Sequence, residues 1–298
     1  MLEAAHTLSK PLAQATLDVG DVPELTLPFA LRLLAGFLVA SVIATIVAAL
    51  LGLLKRPEPW RPRVEGMPGV AGLIVGFVLL LGSMVFAGIV AAALGWTDSD
   101  NPLHGTAIGL VLYGSYIVGV VVWQVVARRQ TLDLGLQPGK LPGGLLGTTW
   151  LVVILPWVWV AVMATLAVRL LLDQPTDEAH PLIDAMMSAD DPLVLVVFVT
   201  TAVVAAPLAE EFFFRGVMQT GFIAGLAKML DERPARWIGI VVTSLLFAVI
   251  HPPFSWPAIF VLSLFLGWLY ERRGNLWTPV MVHAGFNALS TGIALLAR

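Results

Sequence analysis

Residues 33–54 read LLAGFLVASVIATIVAALLGLL, twenty-two residues without an ionisable side chain, set between Arg32 and Lys55. A helix needs about 20 apolar residues to cross a hydrocarbon core of about 30 Å, so this stretch predicts a membrane-spanning helix. Seven further stretches read the same way: 69–95, 104–127, 144–172, 192–221, 237–250, 256–270 and 277–296. Those at 237–250 and 256–270 are short. The fifth runs through two glutamates, and the last is interrupted by His283 and Asn287. The expected fold class is all-α, a polytopic transmembrane helix bundle of about eight spans.

The composition agrees. Of 298 residues, 58% are hydrophobic and 12% charged, against about a quarter charged in soluble domains, and mean hydropathy is +0.88. A water-facing surface needs more charge than this, and a disordered chain would be poor in large apolar residues. The absence of cysteine excludes disulfides, Cys-ligated zinc, iron–sulfur clusters and a thiol nucleophile. A net charge of −3 with no basic stripe gives nucleic-acid binding no support. The first 32 residues lack a basic segment followed by an apolar one, so they read as a polar lead-in rather than a cleaved signal peptide.

Loop charge tests the count of spans. Lys55, Arg56, Arg61 and Arg63 follow the first span, and Arg128, Arg129 and Lys140 the third. Lys228, Arg233 and Arg236 follow the fifth, and Arg272 and Arg273 the seventh, so twelve of 17 basic residues fall in alternate loops. The other loops are acidic or neutral, with Asp98, Asp100, Asp173, Asp177, Glu178, Asp184, Asp190 and Asp191. The positive-inside rule places the basic loops in the cytoplasm and both termini outside. The expected organisation is the lead-in at 1–32, four helices and their loops at 33–191, and a second transmembrane core at 192–298. His6, His104 and His180 read as loop or interface residues. Trp60, Trp96, Trp123, Trp237, Trp256 and Trp277 read as an interfacial belt, and Arg169 as a snorkelling cation.

Charged groups at bilayer depth cost at least about 2.5–3.5 kcal/mol each and face cavities or one another. Three constellations stand out. In Glu210-Glu211-Phe212-Phe213-Phe214-Arg215, Glu211 and Arg215 are four apart, on one helix face and in the better order for an ion pair. Glu210 is rotated by about 100° and is nearer to a bare buried carboxyl, suited to act as a general base. Alternatively, all three cap the inner end of the helix at the headgroups. In Phe247-Ala-Val-Ile-His251-Pro252-Pro253, the prolines stop the helix just after the histidine, inside the bilayer or a cavity, or at an ordinary outer turn. In His283-Ala-Gly-Phe-Asn287, the two polar residues aim the same way, as site groups or as an interhelical hydrogen-bonding pair, and Gly285 permits close packing. Ser244, Ser263 and Ser290 sit in no Gly-x-Ser-x-Gly turn, and there is no His-Glu-x-x-His zinc motif.

Glu-Glu-x-x-x-Arg, then Phe-x-x-x-His, then His-x-x-x-Asn, each in a late transmembrane helix, resembles the CPBP family of intramembrane glutamate proteases. This is also called the CAAX protease and bacteriocin-processing, or Abi, family, and it includes the CAAX prenyl endopeptidase. The resemblance covers about residues 192–297. It implies a metal-independent endopeptidase whose cavity is built by the last four helices. It implies that Glu210 activates water, that His251 holds the water or shares its proton, and that His283 and Asn287 form an oxyanion hole. Glu211, Arg215 and Phe247 support the site, and no cofactor is implied. The implied partners are a peptide or lipidated-protein substrate and membrane lipid, with no nucleic acid. The implied location is a prokaryotic plasma membrane, where the chain is integral and multi-pass. A zinc-dependent membrane protease and a non-catalytic transporter or scaffold are the competing readings.

One tension accompanies this reading. Glu210 lies about 27 Å along a helix that starts at Pro192, close to the cytoplasmic face, whereas His251 lies deeper. Tilted helices, or a sixth helix that begins in the cytoplasm near Arg236, reconcile the two.

Overall fold

The computed structural model describes residues 26–50, 69–97, 101–123, 151–173, 186 and 191–296. Within them are eight long helices: α1 (Leu27–Leu50), α2 (Gly69–Ala93), α3 (Pro102–Val122), α4 (Leu151–Leu171), α5 (Pro192–Leu226), α6 (Glu232–Val249), α7 (Trp256–Arg273) and α8 (Trp277–Leu296). No strand occurs among the described residues. Most of the lead-in, the loop charges at Lys55, Arg56, Arg61, Arg63, Asp98, Asp100, Arg128, Arg129, Lys140, Asp177, Glu178, Asp184 and Asp190, and His6, Trp60 and His180 lie outside the described residues.

Seven of the helices are long and apolar enough to cross a membrane, and the chain is a multi-pass membrane protein. Large apolar side chains point outward along them: Val39, Ile43 and Ile46 on α1, and Ile74, Val78 and Val85 on α2, are all more than half exposed. That pattern suits lipid as the solvent. The eighth helix, α6, carries Glu232, Arg233 and Arg236 near its start, and this charge sets it apart. α1 begins earlier than residue 33, so Arg32 lies inside it and is exposed, as a snorkelling side chain can be.

α1 packs on α4, where Phe37 stacks on Trp159 at 5.6 Å and Trp157 Nε1 donates to Thr45 Oγ1 at 3.2 Å. α4 in turn meets α7 and α8, while α2 pairs with α3. α5 touches α2, α3, α6, α7 and α8 and is the hub of the bundle. Asp191 starts it by accepting from Leu193 N at 2.8 Å, with Pro192 in the first turn, the usual chemistry of a helix start. α7 ends at Gly274, whose φ of 60° is left-handed and suits glycine. Asn275 Oδ1 then accepts from Trp277 N at 2.8 Å and opens α8.

α5 is not a uniform α-helix. Thr201–Ala205 and Phe212–Gln219 are wound as π-helix, a local widening that recurs at functional sites. Pro207 accounts for the first, since an interior proline lacks an N–H and crowds the preceding turn. The N–H of Ala206 bonds back to Thr201 O. The donor that a π turn would offer Ala202 O is residue 207, a proline with none. In the second stretch the Thr220 hydroxyl donates to Arg215 O at 2.9 Å.

The length of α5 also bears on where Glu210 sits along it. At 35 residues it is about 52 Å long by α-helical rise, well beyond a bilayer core of about 30 Å. It continues past residue 221 to Leu226. Glu210 therefore lies midway along α5 rather than at its end.

Candidate active site

Arg215 anchors the site. It is fully buried, as is Glu211, and Nη1 lies 3.0 Å from Glu211 Oε1. Its Nη2 donates to Ser263 Oγ at 2.9 Å and to Ser263 O at 3.2 Å on α7. The guanidinium sits 4.9 Å above the Phe247 ring of α6, a favourable place for a desolvated cation. One arginine thus fixes α5, α6 and α7 together, and the glutamate next to Glu210 is its counter-ion.

His283 of α8 meets both glutamates. Nδ1 is 2.9 Å from Glu211 Oε1, and Nε2 is 3.9 Å from Glu210 Oε2. The Arg215-paired carboxylate is an acceptor, so Nδ1 carries the hydrogen and donates to it. Nε2 is then a lone pair in neutral imidazole and a donor in imidazolium. The imidazole is 5% exposed and the Glu210 side chain 17%, which makes Glu210 the accessible member of the pair of glutamates.

His251 follows the last turn of α6. Its own N–H bonds to Ala248 O, so Phe247 O is left without the next regular helical donor. The imidazole Nδ1 supplies one at 2.7 Å, leaving Nε2 to accept. Trp256 Nε1 donates to His251 O at 2.7 Å and secures the turn through Pro252 and Pro253. The Phe247 ring lies between the two histidines, 4.8 Å from His251 and 5.8 Å from His283. Asn287, one turn beyond His283, donates through Nδ2 to Ala202 O at 2.8 Å, the carbonyl that Pro207 leaves without a backbone donor.

Glu210 opens on a cavity of about 360 Å3 between α2, α3, α5 and α6. Tyr113, Tyr116, Phe213, Phe214, Met218 and Leu246 are among its walls. Ile250, the neighbour of His251, lines it too, which puts the end of α6 beside Glu210. Apart from Glu210 and the two tyrosine hydroxyls, the lining is apolar. Tyr113 Oη donates to Glu210 Oε1 at 3.4 Å. Among the described residues, no three His, Cys, Asp or Glu side chains are grouped to hold a metal ion.

Residues 192–289 match the family described as type II CAAX prenyl endopeptidase Rce1-like. This segment is an Rce1-like CAAX prenyl endopeptidase domain. The family's description is that of endopeptidases, which are hydrolases. The Rce1-like domain contains Glu210, Glu211, Arg215, Phe247, His251, His283 and Asn287. Over 86 residues the chain is 29% identical to UPF0177 protein YxdF of Lactococcus lactis subsp. lactis (strain IL1403). That alignment takes in 28% of this chain and 42% of the relative, so the chain spans about two fifths of the relative's length. No solved structure matches it.

The fold therefore brings Glu210, Glu211, Arg215, Phe247 and His283 into direct contact, with the His251 ring tilted against Phe247 and Asn287 held against α5. Sequence reasoning missed Tyr113, which lies on α3 outside the Rce1-like domain. It also passed over Ser263 except as an unsupported nucleophile, whereas its hydroxyl serves Arg215. Only contact across the bundle reveals either role.

Proposed function

We infer that this protein is a metal-independent intramembrane endopeptidase that uses Glu210 as general base. The observation that carries this reading is the asymmetry of the two adjacent glutamates. Glu211 is sealed and neutralised by Arg215, while Glu210 faces the cavity and, among the described residues, has no basic side chain in ion-pair contact other than His283.

In the proposed reaction, Glu210 removes a proton from a water held between its carboxylate and His283 or His251. The resulting hydroxide adds to the scissile carbonyl carbon. His283, as imidazolium, offers Nε2–H to the tetrahedral oxyanion while Nδ1–H remains on Glu211. The free N–H of the Asn287 amide is the second candidate donor. Such donors are worth about 2.7–4 kcal/mol each when preorganised. Collapse of the intermediate breaks the C–N bond, and the proton on Glu210 passes to the leaving amine.

The apolar cavity next to Glu210 suits a substrate with an apolar side chain or a lipid chain close to the cleaved bond. A membrane-associated peptide, prenylated or leader-bearing, meets that description. The proposed setting is the plasma membrane of a prokaryote. The test is hydrolysis of a library of quenched fluorescent peptides, some prenylated, by the purified protein in detergent. Wild type, E210Q and H283A are compared with and without EDTA. Loss of cleavage in both variants, with no effect of EDTA, is expected. Loss with EDTA and recovery with zinc would instead identify a metalloprotease.

A further inference from the structure

We propose that Tyr113 is a positioning residue for Glu210, holding one carboxyl oxygen so that the other is turned to His283. The proposal rests on the reading of Glu210 as general base. It extends the site to α3, a helix outside the Rce1-like domain.

The terminal torsion of a glutamate is broad and roughly two-fold, so a lone carboxyl in a cavity presents either oxygen. Here the two oxygens are sorted. Oε1 is 3.4 Å from Tyr113 Oη on α3, and Oε2 is 3.9 Å from His283 Nε2 on α8. The carboxyl is thus held between opposite walls of the bundle. A tyrosine hydroxyl in an apolar setting usually finds a polar partner, and for Tyr113 it is this carboxyl. Tyr116, one turn on, is the internal contrast. Its ring packs edge-on against Phe213 at 5.7 Å, and its buried hydroxyl has no partner among the described residues. Of the two cavity tyrosines, only Tyr113 addresses the base. The 3.4 Å separation is long for an O–H···O bond, and catalytic hydrogen bonds tighten when substrate binds.

Infrared spectroscopy on the purified full chain reads this contact without any substrate. Wild type minus E210Q isolates the Glu210 carboxyl bands. Y113F minus the Y113F/E210Q double variant isolates the same bands without the hydroxyl. The proposal expects a displaced band position between the two differences. The same subtraction in S115A should reproduce the wild-type bands, since that hydroxyl on α3 serves Leu112 O. Superimposable bands in wild type and Y113F overturn the proposal. On a cleaved fluorogenic peptide, Y113F should lower kcat about tenfold, a share of the about 10²–10⁴-fold available to general base catalysis, with KM changed less than kcat. An unchanged kcat also overturns it. Full hydrolysis by E210Q would overturn the protease reading instead, with the spectra still deciding the hydroxyl contact.

Discussion

The side chain of Asn287 donates to the main-chain carbonyl of Ala202 at 2.8 Å and ties α8 to the first half of α5. The bond exists because Pro207 has no N–H to offer that carbonyl. One hydrogen of the Asn287 amide therefore serves the scaffold, and the second is the one available to an oxyanion. The last histidine-asparagine motif is both a fastening and a candidate donor pair.

This predicts a coupled effect on stability. N287A strands the Ala202 carbonyl and should cost about 1–3 kcal/mol. P207A restores a main-chain N–H there and should recover part of that loss. The double-mutant cycle, read by unfolding in detergent, should give a coupling of about 0.5–3 kcal/mol, and strict additivity would contradict the account. If the double variant regains stability without regaining hydrolysis, the second amide hydrogen has its own catalytic role.

Glu210 and Glu211 should fail in opposite ways. E210Q leaves the Arg215 pair intact, so it should keep the wild-type unfolding midpoint and lose about 10²–10⁴-fold in rate. E211Q leaves Arg215 buried without its counter-ion, and breaking a buried pair costs about 3–5 kcal/mol. It should unfold at a markedly lower temperature and yield less folded protein. Equal destabilisation by the two substitutions would contradict the division of roles.

A second buried cluster should govern stability without touching the cavity. Arg236 is ion-paired with Glu271 and with Glu232, the latter at 2.6 Å. Gln219 donates to Glu271 Oε1 at 3.1 Å and to Gly267 O at 3.0 Å, which joins α5, α6 and α7. E271A removes a buried partner of Arg236 and should cost about 3–5 kcal/mol. Replacing both with methionine should recover much of it, because a well-packed apolar pair escapes the desolvation penalty. Unfolding midpoints of the single and double variants check this.

Chelation should not matter. Glu211 Oε1 is already committed to both His283 Nδ1 and Arg215, which leaves a poor donor set for zinc. Hydrolysis rates with EDTA, and with zinc added back, should match the untreated rate.

The membrane spans were legible because crossing a bilayer imposes a length and a polarity that composition alone carries. α8 begins and ends at the expected Trp277 and Leu296. The three motifs were legible because charge and histidine stand out in apolar helices. The separation of Glu210 from Glu211 followed from a 100° turn and agrees with the Arg215 pair. What lay hidden is what depends on backbone exceptions and distant contacts. The π turns around Pro207 were not read, so the partner of Asn287 was not foreseen. Arg236 reads as a loop cation, yet it is 2% exposed inside α6, because its partner lies 35 positions away at Glu271. Tyr113 carries no local signature, and its meaning arises only where α3 meets α5.

The most direct test is hydrolysis of a quenched peptide by wild type and E210Q, side by side, at matched folded concentration in the same detergent. The account predicts metal-independent cleavage by wild type and its loss in E210Q, with unfolding midpoints unchanged. Cleavage at the wild-type rate by E210Q would contradict it.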